Sequence, residues 1–182
     1  MSEHQITFEE LVARLQGRNP RRFARNLMLV ALPLATAHRE SHRLAEAIGA
    51  NYIDFDCGFL ARLAEDDWAE HVMFERRNMI SFGQRLGTAW LEEVAQQLTP
   101  EQPLVIGNIN LAVRYDIDLA AALYDSTENG LLVIAAAGHI QGQTLLIHGK
   151  HPQTGANSPA YEIVPAPTPA PLDTQTTQGR LL

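Results

Sequence analysis

Short uninterrupted apolar runs alternate along this chain with longer stretches in which apolar residues recur every three or four positions. The apolar runs at Leu27–Leu32, Leu104–Ile106 and Leu131–Ala136 predict strands that are buried on both faces. Tyr52–Phe55 alternates apolar and polar residues and predicts a fourth strand. Because these strands alternate with helical patterns, the sequence predicts an α/β fold with a parallel sheet and flanking helices.

The stretch from Leu27 to Asp56 predicts one strand–loop–helix–strand unit. The helix is predicted because four residues recur at helical spacing and would share one face, Ser41, Leu44, Ala45 and Ile48. Gly49 stands where a left-handed cap would end this helix. The unit has the outline of a nucleotide-binding P-loop, in which a strand leads through a loop into a helix.

The phosphate-binding residues of a P-loop are missing from this loop. In GxxxxGK[ST], glycines let backbone N–H groups surround the phosphates, Lys reaches the terminal phosphates and Ser or Thr holds magnesium. Aligned without a gap, the two glycines, the lysine and the hydroxyl fall on Ala31, Thr36, Ala37 and His38. The sequence therefore predicts a P-loop scaffold without phosphate chemistry.

The strand at Leu104 lacks the second half of a nucleotide site. In P-loop ATPases of the additional-strand class this strand ends in an Asp that binds the magnesium shell. Here Gly107 takes that position and Asn108 and Asn110 flank it, within the continuing segment GNINLAVRYDIDL. An amide supplies no carboxylate charge, although Asn110 retains the chemistry to orient a water. We therefore expect no catalytic residue, no metal and no cofactor.

The first 26 residues predict an amphipathic helix and an arginine-rich connector. Thr7 and Glu10 have the spacing of a capping box. The connector carries four arginines, Arg18, Arg21, Arg22 and Arg25. A solvated connector is the favoured interpretation, and the alternative is a surface for nucleic acid or an acidic partner.

Two helices are expected between Cys57 and Leu98, with an acidic run at Glu65–Glu75 on the first. Gly83 and Gly87 either weaken the second helix or permit close packing. Trp68 and Trp90 are typical of packing or interface residues rather than of a ligand site.

The chain after the strand at Leu104 predicts a further helix, a hairpin and a tail. A helix is expected at Asp116–Tyr124, and Thr144–His148 is expected to pair with Tyr161–Val164. Residues 165–182, rich in Pro and Thr, predict a disordered or extended tail. Residues 27–164 would then form one degenerate P-loop-like domain.

Composition narrows the function classes. The formal net charge is −7 and the sequence pI is near 5.4, which disfavours general nucleic-acid binding. Cys57 is the single cysteine, so no internal disulfide can form and a reducing compartment is expected. The polar start and the lack of a long apolar segment predict a cytoplasmic protein without a membrane span.

For the other candidate residues, a structural role is favoured over metal binding or catalysis. His38 and His42 have the i, i+4 spacing of zinc ligands, but no third ligand is evident. His139, His148 and His151 surround the expected hairpin and form a second candidate cluster. Cys57 lacks any signature of a thiol nucleophile and is expected to be a packing residue.

The chain resembles the small P-loop proteins of type 3 BREX phage-defence systems, the BrxF family. The similarity covers about Phe8 to Val164 and lies in the unit from Leu27 and in the segments NYIDFDCGFLARL, TAWLEEVAQQL, LVIGNINLA and LLVIAAAGHIQGQTLLIHGKHP. It implies a three-layer AAA-like ATPase fold within a multi-protein bacterial defence complex. The departures at the phosphate and magnesium positions argue against carrying over ATP hydrolysis.

Three functions remain open from the sequence. The first is a pseudo-ATPase subunit that binds a protein partner, with the four arginines, the acidic run and the tail as candidate contacts. The second is an atypical nucleotide binder that uses amides at the amino end of the helix near Thr36–His38 and an arginine in place of the lysine. The third is a DNA-associated accessory protein, which requires the arginines to form one exposed surface.

Overall fold

The computed structural model describes residues 4–18, 23–65, 73, 75–128, 130–155 and 157–165. Its strands are β1 (Gln5–Ile6), β2 (Leu27–Leu32), β3 (Asn51–Asp54), β4 (Leu104–Gly107), β5 (Leu132–Ala137), β6 (His139–Gln141), β7 (Thr144–Ile147), β8 (His151–Thr154) and β9 (Ala160–Ile163). Its helices are α1 (Phe8–Gln16), α2 (Ala37–Ile48), α3 (Phe55–Glu65), α4 (Met79–Gln96), α5 (Asn110–Arg114) and α6 (Leu119–Leu123), and Asp125–Glu128 forms a 3-10 helix.

Six of these strands form one sheet in the order β1-β9-β2-β5-β4-β3, and every neighbouring pair within it is parallel. β2 is buried on both faces. Leu27 and Leu29 pack with α3 to α6, whereas Met28 and Val30 pack with α1 and α2. The prediction of an α/β fold with a parallel sheet between helices is therefore confirmed.

Local signals for helix ends act as the sequence predicts. Both hydrogen bonds of the capping box between Thr7 and Glu10 are present at α1. Gly49 ends α2 with φ 65°, a left-handed conformation that glycine adopts without steric cost. α3 and α4 lie in the segment after β3, where two helices were expected, but residues 75–77 are also helical, ahead of the Asn78 cap of α4. Trp68 and most of the acidic run lie outside the described residues.

Contrary to the prediction, the strand that begins at Leu104 does not continue through the segment GNINLAVRYDIDL. β4 stops at Gly107, and Asn110–Arg114 is helical because the Asp56 carboxylate accepts the first N–H groups of α5. The helix expected at Asp116–Tyr124 is shorter, since Asp118 caps it at Ala121 and α6 spans Leu119–Leu123.

The expected carboxyl-terminal hairpin is also wrong in its pairing. Tyr161 lies in β9, which enters the main sheet between β1 and β2 and pairs in parallel with Leu29–Ala31. The antiparallel partners of β7 are β6 and β8, which form a separate three-stranded sheet. Ala160 of β9 is buried in the core. Burial of its apolar surface stabilises β9 in the main sheet more than an exposed hairpin would.

The sheet of β6, β7 and β8 contacts the start of α6 through hydrogen bonds of Gln153 and Asp118. The Gln153 side chain is 1% exposed, accepts a hydrogen bond from Leu119 N and donates to Ile117 O at 3.1 Å. Asp118 accepts from both Ala121 N and Thr154 N. The Gln153 contacts satisfy backbone groups of Leu119 and Ile117 that burial would otherwise leave unpaired.

Glycines permit close packing of α4, which settles the alternatives left by the sequence. A Cβ at Gly83 would lie 2.1 Å from the Tyr115 ring, and one at Gly87 would lie 2.5 Å from Ile117 Cδ1. Trp90 lies against Gly58 of α3, half-buried as expected for a packing residue. The glycines are therefore required by the helix contacts.

Candidate functional site at the carboxyl edge of the sheet

The carboxyl ends of parallel strands meet at one edge of a sheet, where ligands of open α/β folds bind. At this edge the structure has a cavity of about 160 Å³. It lies between the loop after β2, the loop after β4 and the end of β5. Its lining comprises Leu34, Ala37, His38, Asn108, Ile109, Asn110, Ala135, Ala136, Ala137, Ile147 and His148.

The loop after β2 is built without glycine. It makes a tight turn, in which Thr36 N donates to Pro33 O at 3.0 Å, and it leaves Leu34 75% exposed. Ala37 and His38, at the aligned lysine and hydroxyl positions, open α2 and line the cavity. Ala31 is buried within β2, so the aligned first glycine contributes nothing to the loop.

Two carboxylates that the sequence analysis did not single out stand beside the asparagines after β4. Asn108 Nδ2 donates to both carboxylate oxygens of Asp54, at 2.9 and 3.0 Å. Asn110 Nδ2 donates to Asp56 Oδ2 at 3.0 Å and to Asn108 Oδ1 at 2.8 Å. The four side chains form one network between the ends of β3 and β4, which we call the Asp–Asn network.

Each carboxylate of the Asp–Asn network also caps a helix. Asp54 accepts from Cys57 N at 2.8 Å in the first turn of α3. Asp56 accepts from Leu111 N at 2.8 Å and Asn110 N at 3.2 Å at the start of α5. Burial raises the pKa of Asp56, while its hydrogen bonds from Leu111 and Asn110 act in the opposite direction.

The spacing signal for these carboxylates was present in the sequence. Asp54 and Asp56 directly follow the strand at Tyr52, and the asparagines follow the strand at Leu104. Because β3 and β4 are parallel neighbours, with Asp54 beside Gly107, the two strand ends are brought together. The order of strands was the missing information, since periodicity alone does not state which strands are neighbours.

Gly107 is enclosed by side chains that leave no room for an acidic residue. A Cβ at this position would lie 2.5 Å from Tyr52 Oη and 2.8 Å from Ser41 Oγ. Burial raises the pKa of Tyr52, whose hydroxyl lies 3.3 Å from Ser41 Oγ. A hydroxyl pair thus occupies the space that a strand-end carboxylate would need.

The His42 ring packs against Tyr52, and the His38 ring packs against His42. The rings of His42 and Tyr52 have centroids 3.7 Å apart, and those of His38 and His42 are 4.8 Å apart at an edge-to-face angle. No cluster of three or more His, Cys, Asp or Glu residues suited to a metal ion occurs in the described part of the chain.

The second histidine cluster does not assemble around one cavity. His139 and His148 line a neighbouring cavity of about 250 Å³, whereas His151 lines a different one. Cys57 is exposed rather than packed, and the adjacent Asp54 carboxylate raises the pKa of its thiol. A raised pKa leaves less thiolate, so Cys57 is poorly suited to nucleophilic chemistry.

The described arginines of the connector lie at the opposite edge of the sheet, before β2 begins. The Arg25 guanidinium pairs with Asp125 at 3.1 Å and with Glu128. The Arg18 guanidinium lies 4.2 Å from the centroid of the Phe23 ring, and burial lowers its pKa. Arg21 and Arg22 fall outside the described residues.

The pH dependence of stability should reveal the burial of Asp56. Its folded pKa lies above the unfolded value, near 3.9 for an aspartate, so the folded state retains the proton longer. Stability conferred by the protonated group is therefore lost as pH rises from the unfolded to the folded pKa, and the loss is constant above that window. In urea denaturation across this range, the unfolding free energy of the wild type minus that of Asp56→Asn should fall and then level off.

Asp116→Asn is the control for loss of one carboxylate, since Asp116 is exposed in the turn after α5. A difference between wild type and Asp56→Asn that rises with pH would mean a lowered pKa and would contradict the assignment.

No protein-family model, no curated protein and no solved structure matches this chain. None of the described helices has the length and apolar character needed to cross a membrane. The case for a function therefore has to come from the geometry of the carboxyl edge.

Proposed function

We propose that this chain is a non-catalytic P-loop-like subunit that acts by binding a protein partner in a bacterial multi-protein complex. The strand arrangement supports this proposal. β2 leads through a loop into α2, and β5 lies between β2 and β4 as an additional strand. An additional strand in this place fits the additional-strand class of P-loop ATPases, with which the sequence of this chain was compared.

The Asp–Asn network is the observation that carries the non-catalytic assignment. A magnesium site needs carboxylate oxygens that are free to bind the ion or its water shell. Here the oxygens of Asp54 and Asp56 accept hydrogen bonds from two asparagine amides and from three backbone N–H groups. The carboxylates at this edge hold loops and helix ends in place.

The cavity adds two arguments against a nucleotide. Its volume of about 160 Å³ is below the roughly 300–1,000 Å³ of small-molecule sites. Among the described residues, its lining includes no Lys or Arg, which a triphosphate needs for charge neutralisation. The positions of Ala37 and His38 in the cavity wall are therefore consistent with a site that has lost its phosphate contacts.

An atypical nucleotide site has one observation in its favour. Thr36 caps α2 without a side-chain hydrogen bond, so the first N–H groups of a 12-residue helix remain open to an anion. Such a site would bind phosphate without the magnesium ligand that hydrolysis requires. It is the alternative that the nucleotide titration below tests.

A role beside DNA depends on the connector arginines. The charge of Arg25 is already balanced by Asp125 and Glu128, which weakens its attraction for phosphate. Arg18, Arg21 and Arg22 remain candidate contacts for a protein partner or for DNA within a complex. Retention on DNA that falls steeply with salt would favour the DNA role.

Calorimetric titration with ATP and ADP in magnesium is expected to show no binding, together with no shift of the thermal melt. Ala37→Lys alone should not restore binding, because Pro33 and Leu34 keep the loop from closing its amides around phosphate. Saturable heat in the wild type would overturn the proposal that this site has lost nucleotide binding. Loss of that heat in Ala37→Pro, which removes the first open N–H of α2 at a position where proline is tolerated, would then favour the atypical site.

A further inference from the structure

The chain leaves the described fold beside the first turn of α1. In β9, Glu162 N donates to His4 O at 2.8 Å, and Val164 N donates to Ile6 O at 3.0 Å. Ile6 is followed by Thr7, the cap of α1. Pro165, the last described residue, is therefore adjacent to the amino end of this helix, and residues 166–182 continue from there.

A groove between α1 and α2 begins at this point. It has a volume of about 310 Å³ and is lined by Phe8, Glu9, Val12, Ala13, Gln16, Arg43 and Ala47. At the near end the Arg43 guanidinium lies 3.9 Å from the centroid of the Phe8 ring. At the far end Gln16 Nε2 donates to Ala47 O at 2.8 Å.

The groove has the size and lining of a peptide site. Its volume is in the range of ligand pockets, roughly 300–1,000 Å³. Val12, Ala13 and Ala47 provide an apolar surface, while the buried Phe8 ring lies beneath Arg43. Arg43 and Glu9 provide charge at the rim. Since helices offer no free strand edge, an occupant must not depend on backbone pairing.

The segment that follows Pro165 meets this requirement. Residues 165–172 read PAPTPAPL, with proline at every second position and no charge. Proline lacks an N–H group, and polyproline II helices make no internal backbone hydrogen bonds, so this segment needs no strand partner. The restricted backbone of a proline-rich segment also reduces the entropy cost of binding.

The lengths also agree. α1 has nine residues and at 1.5 Å per residue spans about 13 Å. A polyproline II segment rises about 3.1 Å per residue, so four or five residues cover the groove. Residues 166–172 supply that length directly after the exit point. Tethering so close to the site gives the segment an effective concentration near the millimolar range.

We propose that residues 166–172 dock as a polyproline II segment in the groove between α1 and α2 of their own chain. The groove and the segment then occupy each other, so a partner that binds either one must displace the other. This inference is independent of the nucleotide question, because the groove lies on a helical face of the sheet and the cavity lies at its carboxyl edge.

Paramagnetic labelling of the full chain tests the docking. Cys57→Ser removes the native thiol, and Thr174→Cys accepts a nitroxide just beyond the docked segment. We expect loss of amide signal at Gln16 and Ala47, at the far end of the groove. An undocked tail would reduce signals mainly near its exit, at Ile6 and Phe8.

A matched pair of substitutions controls for general effects. Ala13 and Ala89 are both exposed helical alanines, but only Ala13 lines this groove. Ala13→Glu should restore the signals at the far end, and Ala89→Glu should leave them reduced. Far-end signal loss that survives Ala13→Glu would overturn the docking.

Two further outcomes would also overturn it. Signal loss at Leu34 and His148 would place the segment at the carboxyl edge instead. Signal loss in nitrogen-15 chains mixed with spin-labelled chains of natural isotopic abundance would mean that a second copy supplies the segment. A nucleotide titration that fails its expected result would leave all these measurements unaffected.

Discussion

Gly107→Asp, which places an acid at the strand end, is expected to lower the free energy of unfolding by about 4 kcal/mol. The added Cβ would lie 2.5 Å from Tyr52 Oη and 2.8 Å from Ser41 Oγ. The carboxylate would then be buried without a cation, and an unpaired buried charge is more costly than the overpacking itself. Urea denaturation measures the loss, and manganese titration should show no binding.

Gly107→Ala separates the two contributions, because it introduces the contact without the charge. Its expected cost is about 1–3 kcal/mol. Tyr52→Phe removes the nearest hydroxyl, so the double variant Tyr52→Phe with Gly107→Ala should lose less than the sum of the single losses. Stable manganese binding by Gly107→Asp would contradict the account of this strand end.

Gly83→Ala is expected to destabilise the fold by about 3 kcal/mol, although alanine is the better helix former. The propensity gain is about 1 kcal/mol. Against it, the added Cβ would lie 2.1 to 2.3 Å from Tyr115 atoms, and Tyr115 is held between the rings of Phe59 and Phe82. Displacing Tyr115 would disturb both aromatic contacts. Chemical denaturation followed by circular dichroism gives the difference.

Gly87→Ala in the same helix is the matched control. It has the same propensity gain, but its added Cβ meets Ile117 Cδ1, the end of a flexible side chain, at 2.5 Å. The variant should be clearly less destabilised than Gly83→Ala. Equal losses in the two variants would show that Tyr115 does not limit the packing of α4.

Strands whose residue pattern does not depend on which strands lie beside them were predictable from sequence. β2, β4 and β5 are continuous apolar runs because helices cover both faces, and that pattern needs no knowledge of strand order. β9 was recognised as a strand but given the wrong partner, because its four residues are compatible with either sheet. β1 has two residues and presents no period to detect.

The candidate site likewise has features that were predictable from sequence and features that were not. The residue types of the loop after β2 and of the asparagines after β4 are each visible within a single stretch, so the departures from the P-loop pattern could be predicted from sequence. The roles of Asp54 and Asp56 depend on β3 lying beside β4. The reason for glycine at position 107 depends on Tyr52 and Ser41, which come from a strand and a helix far earlier in the chain. Such long-range contacts leave no local pattern.

The position of β9 gives this sheet a particular order of assembly during synthesis. β1 leaves the ribosome first, yet its strand partner is β9, whose first residue is Ala160. β2 likewise pairs with β5 along one edge and with the later strand β9 along the other. Contacts of such high sequence separation form late and slow folding. A nascent chain thus exposes one side of β2 until translation has passed residue 163, and during that interval it is open to chaperones or to mispairing.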